Sequence, residues 1–295
     1  MQSADFLSAV FFYLKVGENL NQNWIVENLN NAFSTWNEKL GELWGLVTTG
    51  PQTFKGGAVC SVMQTLHNGM VGIGYALVVL FFAISLCKNT MNFHELKRPE
   101  AAIHYFLRFV AAKALVGYGM DIMLNVFSIC NGIVTDMADS MGGISEAMVS
   151  LPAEMQTAIE NVGFLASIPL WLVTILGSLF ITVLSFVMIL TVYGRFFRLY
   201  MYTALAPLPL AAFAGESTQS VGISFLKSYV GVCLEGAVIV LACVIYSAFV
   251  GTPTVTGGEA TTIVWSYLAE TVFNMLVLVG LIKGSDRIIH EMMGL

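Results

Sequence analysis

The chain has 295 residues, of which 57% are hydrophobic and only 11% charged, with a formal net charge of −6. Soluble domains carry about a quarter charged residues, so the composition excludes an ordinary soluble globule. Uncharged runs of 34 residues (161–194), 23 (236–258) and 20 (68–87) each reach the roughly 20 residues that a helix needs to cross hydrocarbon, which makes this an all-α, polytopic membrane protein.

At the N-terminus, "MQSADFLSAVFFYLKVGENL" has no basic residue before its apolar run and no small-x-small pattern after it, so it reads as mature chain. Further on, Val26, Leu29, Phe33, Trp36, Leu40, Leu43 and Val47 recur at alternating steps of three and four, a heptad-type stripe. Asn28, Asn31, Asn37, Glu38 and Lys39 lie opposite. Two readings are open. The helix lies on the outer leaflet, anchored by Trp24, Trp36 and Trp44, or its stripe packs against copies of itself or an extracytoplasmic partner. Gly50-Pro51 ends it, so residues 1–57 form an extracytoplasmic amphipathic helical region and 58–295 a transmembrane domain.

Five spans follow, at about 66–87, 109–133, 163–193, 228–250 and 262–282. The second encloses Lys113 and Asp121, eight residues apart and thus roughly on one helical face. Trp171, Trp265, Tyr193, Tyr200 and Tyr202 sit where an interfacial belt wants them. After the third span, "GRFFRLYMYTALAPLPLAAFAG" places Arg195 and Arg198 ahead of Pro207 and Pro209. Each proline removes an amide donor and obstructs the preceding turn. Irregular backbone at membrane depth needs a cover of protein or a water-filled cavity, so 199–226 reads as a broken, re-entrant or interfacial elbow. Its helix should end near Tyr202–Ala206, with both arginines snorkelling at headgroup level.

Orientation follows from the basic residues. Lys88, Lys97, Arg98, Arg108 and Lys113 lie between spans one and two, Arg195, Arg198 and Lys227 between three and four, and Lys283 and Arg287 after five. The segment 136–160 has five acids and no base, and 251–260 has no base. The positive-inside rule then puts the N-terminus outside and the C-terminus in the cytoplasm, with ten of thirteen basic residues inside. A sixth span over 199–215 would export Lys227, Lys283 and Arg287, leaving seven in and six out. The elbow therefore stays on the cytoplasmic side.

No phosphate-cradling G-x-x-x-x-G-K-[ST] occurs. "HELKR" at 94–98 and "HEMMG" at 290–294 lack the second histidine of a zinc-protease helix, and "GES" at 215–217 lacks the closing glycine of a nucleophile elbow. Five cysteines without C-x-x-C spacing read as packing residues. Neither an enzyme nor a cofactor or metal is expected. Lys113, Asp121, Glu235 and Glu270 fall within spans, where an ionisable group must face protein or water. They are candidates for interhelical pairs, Lys113 with Glu235 for example, or for a hydrated or proton-coupled path.

Arginines leading into "ALAPLPLAAFAG", five spans and an amphipathic external N-terminus together resemble the TrbL-like polytopic channel subunits of type IV secretion and conjugative DNA transfer systems. The likeness covers roughly residues 60–290 and rests on Arg195, Arg198, Ala206, Pro207 and Leu208. The lack of a long C-terminal extension suggests the compact form of Gram-positive mobile elements. The resemblance implies a non-enzymatic, oligomeric part of a conduit in the cytoplasmic membrane for relaxase-bound single-stranded DNA or protein. Its partners would be other channel subunits, secretion and coupling ATPases and membrane lipid. DNA contact is expected on the cytoplasmic side only, at 88–113 and at Arg195 and Arg198. The competing classes are a small-molecule or ion permease, against which the absence of a clear internal repeat counts, and a structural membrane scaffold without its own pore.

Overall fold

The computed structural model describes residues 2–90, 99–140, 148–160, 162, 164–249 and 260–294, and side chains over 24–88, 103–140, 148–160, 162, 168–249 and 262–294. Lys97, Arg98, "HELKR" and most of the base-free segment 251–260 lie outside the described residues.

Among the described residues the elements are helices: α1 (Gln2–Thr48), α2 (Ala58–Thr90), α3 (Pro99–Gly117), α4 (Gly119–Ser140), α5 (Ala153–Glu160), α6 (Phe164–Leu205), α7 (Pro207–Ala211), α8 (Gln219–Phe249) and α9 (Ala260–Met293). Four stretches are long and apolar enough to cross a membrane: Phe54–Lys88, Ile168–Leu205, Gln219–Phe249 and Thr262–Met293. α3 and α4 supply a fifth if counted as one bent span, since they pass the same test jointly across a 72° bend. This agrees with an all-α membrane protein of about five spans.

The second span differs from its expectation. It breaks at Tyr118 between Gly117 and Gly119, residues that stiffen a helix least and recur at kinks. Lys113 on α3 and Asp121 on α4 thus lie on either side of a sharp bend rather than on one helical face, and both are exposed.

The chain divides into two compact units that interleave along the sequence, not at residue 57. The first comprises Met1–Trp44, Gly142–Thr191 and Leu241–Lys283. In it the α1 stripe is spent on the chain's own helices. Leu29, Trp36, Leu40 and Leu43 are fully buried and Phe33 nearly so, whereas Val26 is half-buried. Phe33 meets Tyr267 of α9 edge-on at 6.5 Å, and Trp24 packs on Trp171 of α6 at 5.7 Å. Asn28 Nδ2 donates to Ser178 Oγ at 2.9 Å. Asn37 accepts from the Val149 amide at 2.9 Å and donates to the Val149 carbonyl at 2.8 Å, a two-way bond that fixes the segment ahead of α5. The buried residues of the stripe are covered by the chain itself. A heptad stripe reports that a face is buried but not against what, and here α6 and α9 answer it. Phe33→Asp or Leu40→Asp is accordingly expected to destabilise the whole protein by about 4 kcal/mol or more, because an unpaired carboxylate enters a packed core. The amount recovered in the membrane fraction should fall for both. Normal amounts with only intersubunit crosslinking lost would instead favour an assembly face.

The second unit comprises Gly45–Met141, Val192–Val240 and Gly284–Leu295, and Val47 is fully buried in it. Phe54, in the turn before α2, stacks on Phe196 of α6 at 4.1 Å, and Tyr200 donates to the Pro51 carbonyl at 2.7 Å. The elbow lies here. α6 ends at Leu205, within the expected window, but the prolines do not turn the chain out of helical geometry. Ala206 keeps φ −49° and ψ −38°, and Pro207 opens α7, a position where its missing amide donor costs nothing. The helical path is left at Gly215, which is extended, and Thr218 Oγ1 donates back to the Ala212 carbonyl at 2.7 Å before α8 begins. Ala206, Pro207, Leu210, Ala211, Ala212 and Ala214 are buried and Pro209 is half-buried, with α7 and the turn after it packed against α2 and α3. α7 and the turn after it are thus covered by protein. His67 of α2 fixes its approach, its Nδ1 lying 2.7 Å from the Thr203 carbonyl.

Candidate functional site

Arg195 and Arg198 stand one turn apart on α6, so both reach the same side of the helix. Arg195 is completely buried. Its Nε donates to the Val232 carbonyl at 3.3 Å and its Nη2 to the Cys233 carbonyl at 3.0 Å, both on α8. The guanidinium lies over the Phe127 ring of α4 at 5.9 Å, while Nη1 has no hydrogen-bond partner. α8 comes this close because residue 236 is glycine: a Cβ there would sit 2.7 Å from Arg195 Nη1.

Arg198 carries the ion pairs. Its Nη2 donates to Glu235 Oε1 at 2.8 Å and Oε2 at 2.7 Å, and its Nη1 donates to the Asp286 carboxylate on α9. Ser285 Oγ adds a bond to Glu235 Oε1 at 3.1 Å. Glu235 is only 1% exposed, yet one carboxylate accepts from two helices. Two guanidinium and two carboxylate groups balance, which is the condition for keeping ionised groups at membrane depth. The arrangement ties α6, α8 and α9 together by charge.

This differs from the sequence expectation in three ways. Arg195 and Arg198 do not snorkel to headgroups or offer themselves to phosphate, because Arg195 is completely buried and both terminal nitrogens of Arg198 are bonded to carboxylates. Glu235 pairs with Arg198, not with Lys113. Lys113, Asp121 and Glu270 are exposed and take no part in the bonds just described. Ser285 and Asp286 fall outside the sequence expectation because the last apolar run ends the fifth span at residue 282, whereas α9 runs to Met293. The signal was present: Ile282, Ser285 and Ile289 continue the buried three-and-four spacing past the last apolar run.

No curated protein and no solved structure matches the chain. A family model does, over residues 36–207, from the middle of the α1 stripe through the arginine pair to the first proline of the elbow. With more than half of its length matched, the chain belongs to the TrbL/VirB6 plasmid conjugal transfer like family.

Proposed function

We propose that this protein is a non-enzymatic channel or platform subunit of a conjugative type IV secretion system, and that it helps pass relaxase-bound single-stranded DNA or protein across the cytoplasmic membrane. The observation that carries the reading is the family match over residues 36–207, which takes in the second half of the α1 stripe, two of the four long apolar stretches, the bent α3–α4 pair and the two arginines. In this reading the N-terminus is outside and the C-terminus cytoplasmic, several copies assemble, and the partners are other channel subunits with secretion and coupling ATPases. DNA contact on the cytoplasmic side is assigned to Lys88, Lys113 and Lys227, all exposed, and to the basic pair Lys97 and Arg98 of the sequence.

A scaffold without its own pore is the second reading, and one observation favours it: the buried charges close on each other instead of lining a path. That closure also counts against a proton-coupled permease using Glu235.

The test is genetic. In-frame deletion of the gene should reduce conjugative transfer to background, and supplying the chain in trans should restore it. A C-terminal reporter active only in the cytoplasm should be active. Normal transfer in the deletion strain would discard the secretion reading, and an inactive reporter on a stable fusion would reverse the orientation.

A further inference from the structure

α4 presents three different faces. Met123, Phe127, Cys130, Val134 and Ala138 are buried against the chain itself. Ile129 and Ile133 form an exposed apolar ridge, 70% and 47% exposed. Beside the ridge, Asp121, Asn125, Ser128, Asp136 and Asp139 are exposed and Gly132 is half-buried. These six positions recur at steps of four, three, four, four and three, which at ~100° per residue confines them to an arc of about 80°. The apolar ridge borders that arc on one side only.

The depth of the helix gives this pattern meaning. Tyr229 of α8 donates to the Met123 carbonyl at 2.8 Å. Phe127 lies under Arg195 of α6. α4 is therefore packed on the parts of α6 and α8 that belong to candidate membrane spans. A polar face exposed at that level cannot rest against lipid tails, since groups unsatisfied there cost several kcal/mol each. A second observation points the same way. A cavity of about 420 Å³ opens beside the stripe, lined by Asn125, Ser128, Asn131 and the 50–53 turn. In its wall, Asn131 Oδ1 is buried without a protein partner, as expected of a group that water satisfies.

We propose that the polar face of α4 is the wall of the hydrated passage. This rests on the conduit reading of the previous subsection and names the surface that performs it. Repeated around an assembly, Asp121, Asp136 and Asp139 form acidic rings at the two ends of a neutral Asn125–Ser128–Gly132 stretch. Such rings raise the local concentration of cations and repel phosphate. The wall thus hydrates a nucleic-acid cargo without holding it.

The experiment places single cysteines at 125, 128 and 132, and at the buried control positions 123 and 134, with Cys60 and Cys87 changed to serine. Cys130, Cys233 and Cys243 are buried and remain. Cells are treated with a membrane-impermeant trimethylammonium thiosulfonate or with its anionic sulfonate counterpart. Labelling at 125, 128 and 132 but not at 123 and 134 is expected, with the cationic reagent several-fold faster. Attaching a bulky thiol reagent at Ser128→Cys should then reduce DNA transfer to the level of the deletion strain. Three results would overturn the proposal: no labelling at 125 and 128, equal labelling of all five positions, or full transfer after complete bulky modification. In the last case the deletion strain separates the two ideas. If deletion still abolishes transfer, the conduit reading survives and only the assignment of its wall to α4 fails. If deletion leaves transfer intact, both fail.

Discussion

Glu235→Leu is expected to be the most damaging single change in the membrane domain, costing about 3–5 kcal/mol and depleting the protein from the membrane fraction. Removing one member of a buried ion pair leaves the other charge desolvated and uncompensated. Here the loss is doubled in reach, because Glu235 accepts from Arg198 and Ser285 and is also the carboxylate that faces the buried Arg195 charge. Asp286 is half-exposed and bonds only to Arg198 within this set, so it cannot replace Glu235 for Arg195. Arg195→Met should cost less, since Glu235 keeps both of its donors. Combining the two changes removes one charge of each sign and leaves the Arg198–Asp286 pair in balance. The double variant should therefore be more stable than Glu235→Leu alone, a coupling that thermal unfolding of the detergent-solubilised protein can measure as a double-mutant cycle. Strict additivity would mean that charge balance does not hold α6, α8 and α9 together.

Why this network escaped the sequence is a matter of separation. Arg198 meets Glu235 across 37 residues and Asp286 across 88. Nothing in a pair of arginines after a 34-residue uncharged run says whether they end a span at the headgroups or continue it inside the protein. The α1 stripe was legible for the opposite reason: burial imposes a local period, and Leu29, Phe33, Trp36, Leu40, Leu43 and Val47 obey it. Their partner was not legible, because lipid, a second copy and the chain's own α6 and α9 all require the same stripe. The elbow sits between these cases. Its helix end at Leu205 was readable from Pro207, but a proline opening a new helix keeps the backbone helical, and the true departure at Gly215 depends on how the segment docks. The break at Tyr118 was marked by two glycines in a span that otherwise looked continuous, and Gly-x-Gly alone does not fix a 72° bend.

That docking yields the second large effect, at Gly74 of α2. A Cβ on this residue would lie 2.9 Å from the Pro207 carbonyl oxygen and 2.9 Å from Val116 Cγ1 of α3. The first obstacle is backbone at the first residue of α7 and the second a β-branched side chain with little rotamer freedom, so neither yields by a simple rotation. Overpacking a buried contact costs about 1–3 kcal/mol per change that the structure can absorb, and a branched residue asks for more than this site can give. Gly74→Val should therefore separate α7 from α2 and α3 and abolish transfer. Gly72, two residues earlier, has nothing within 4 Å of where its Cβ would be, so Gly72→Val changes the same helix by the same atoms without touching the elbow. A reporter cysteine at Ala211, fully buried in α7, makes the difference visible. It should stay unreactive toward a small thiol reagent in permeabilised cells when residue 74 is glycine or residue 72 is valine, and become reactive with Gly74→Val. If Gly74→Val and Gly72→Val transfer equally well and Ala211→Cys remains protected in both, close docking of the elbow on α2 is not required for function.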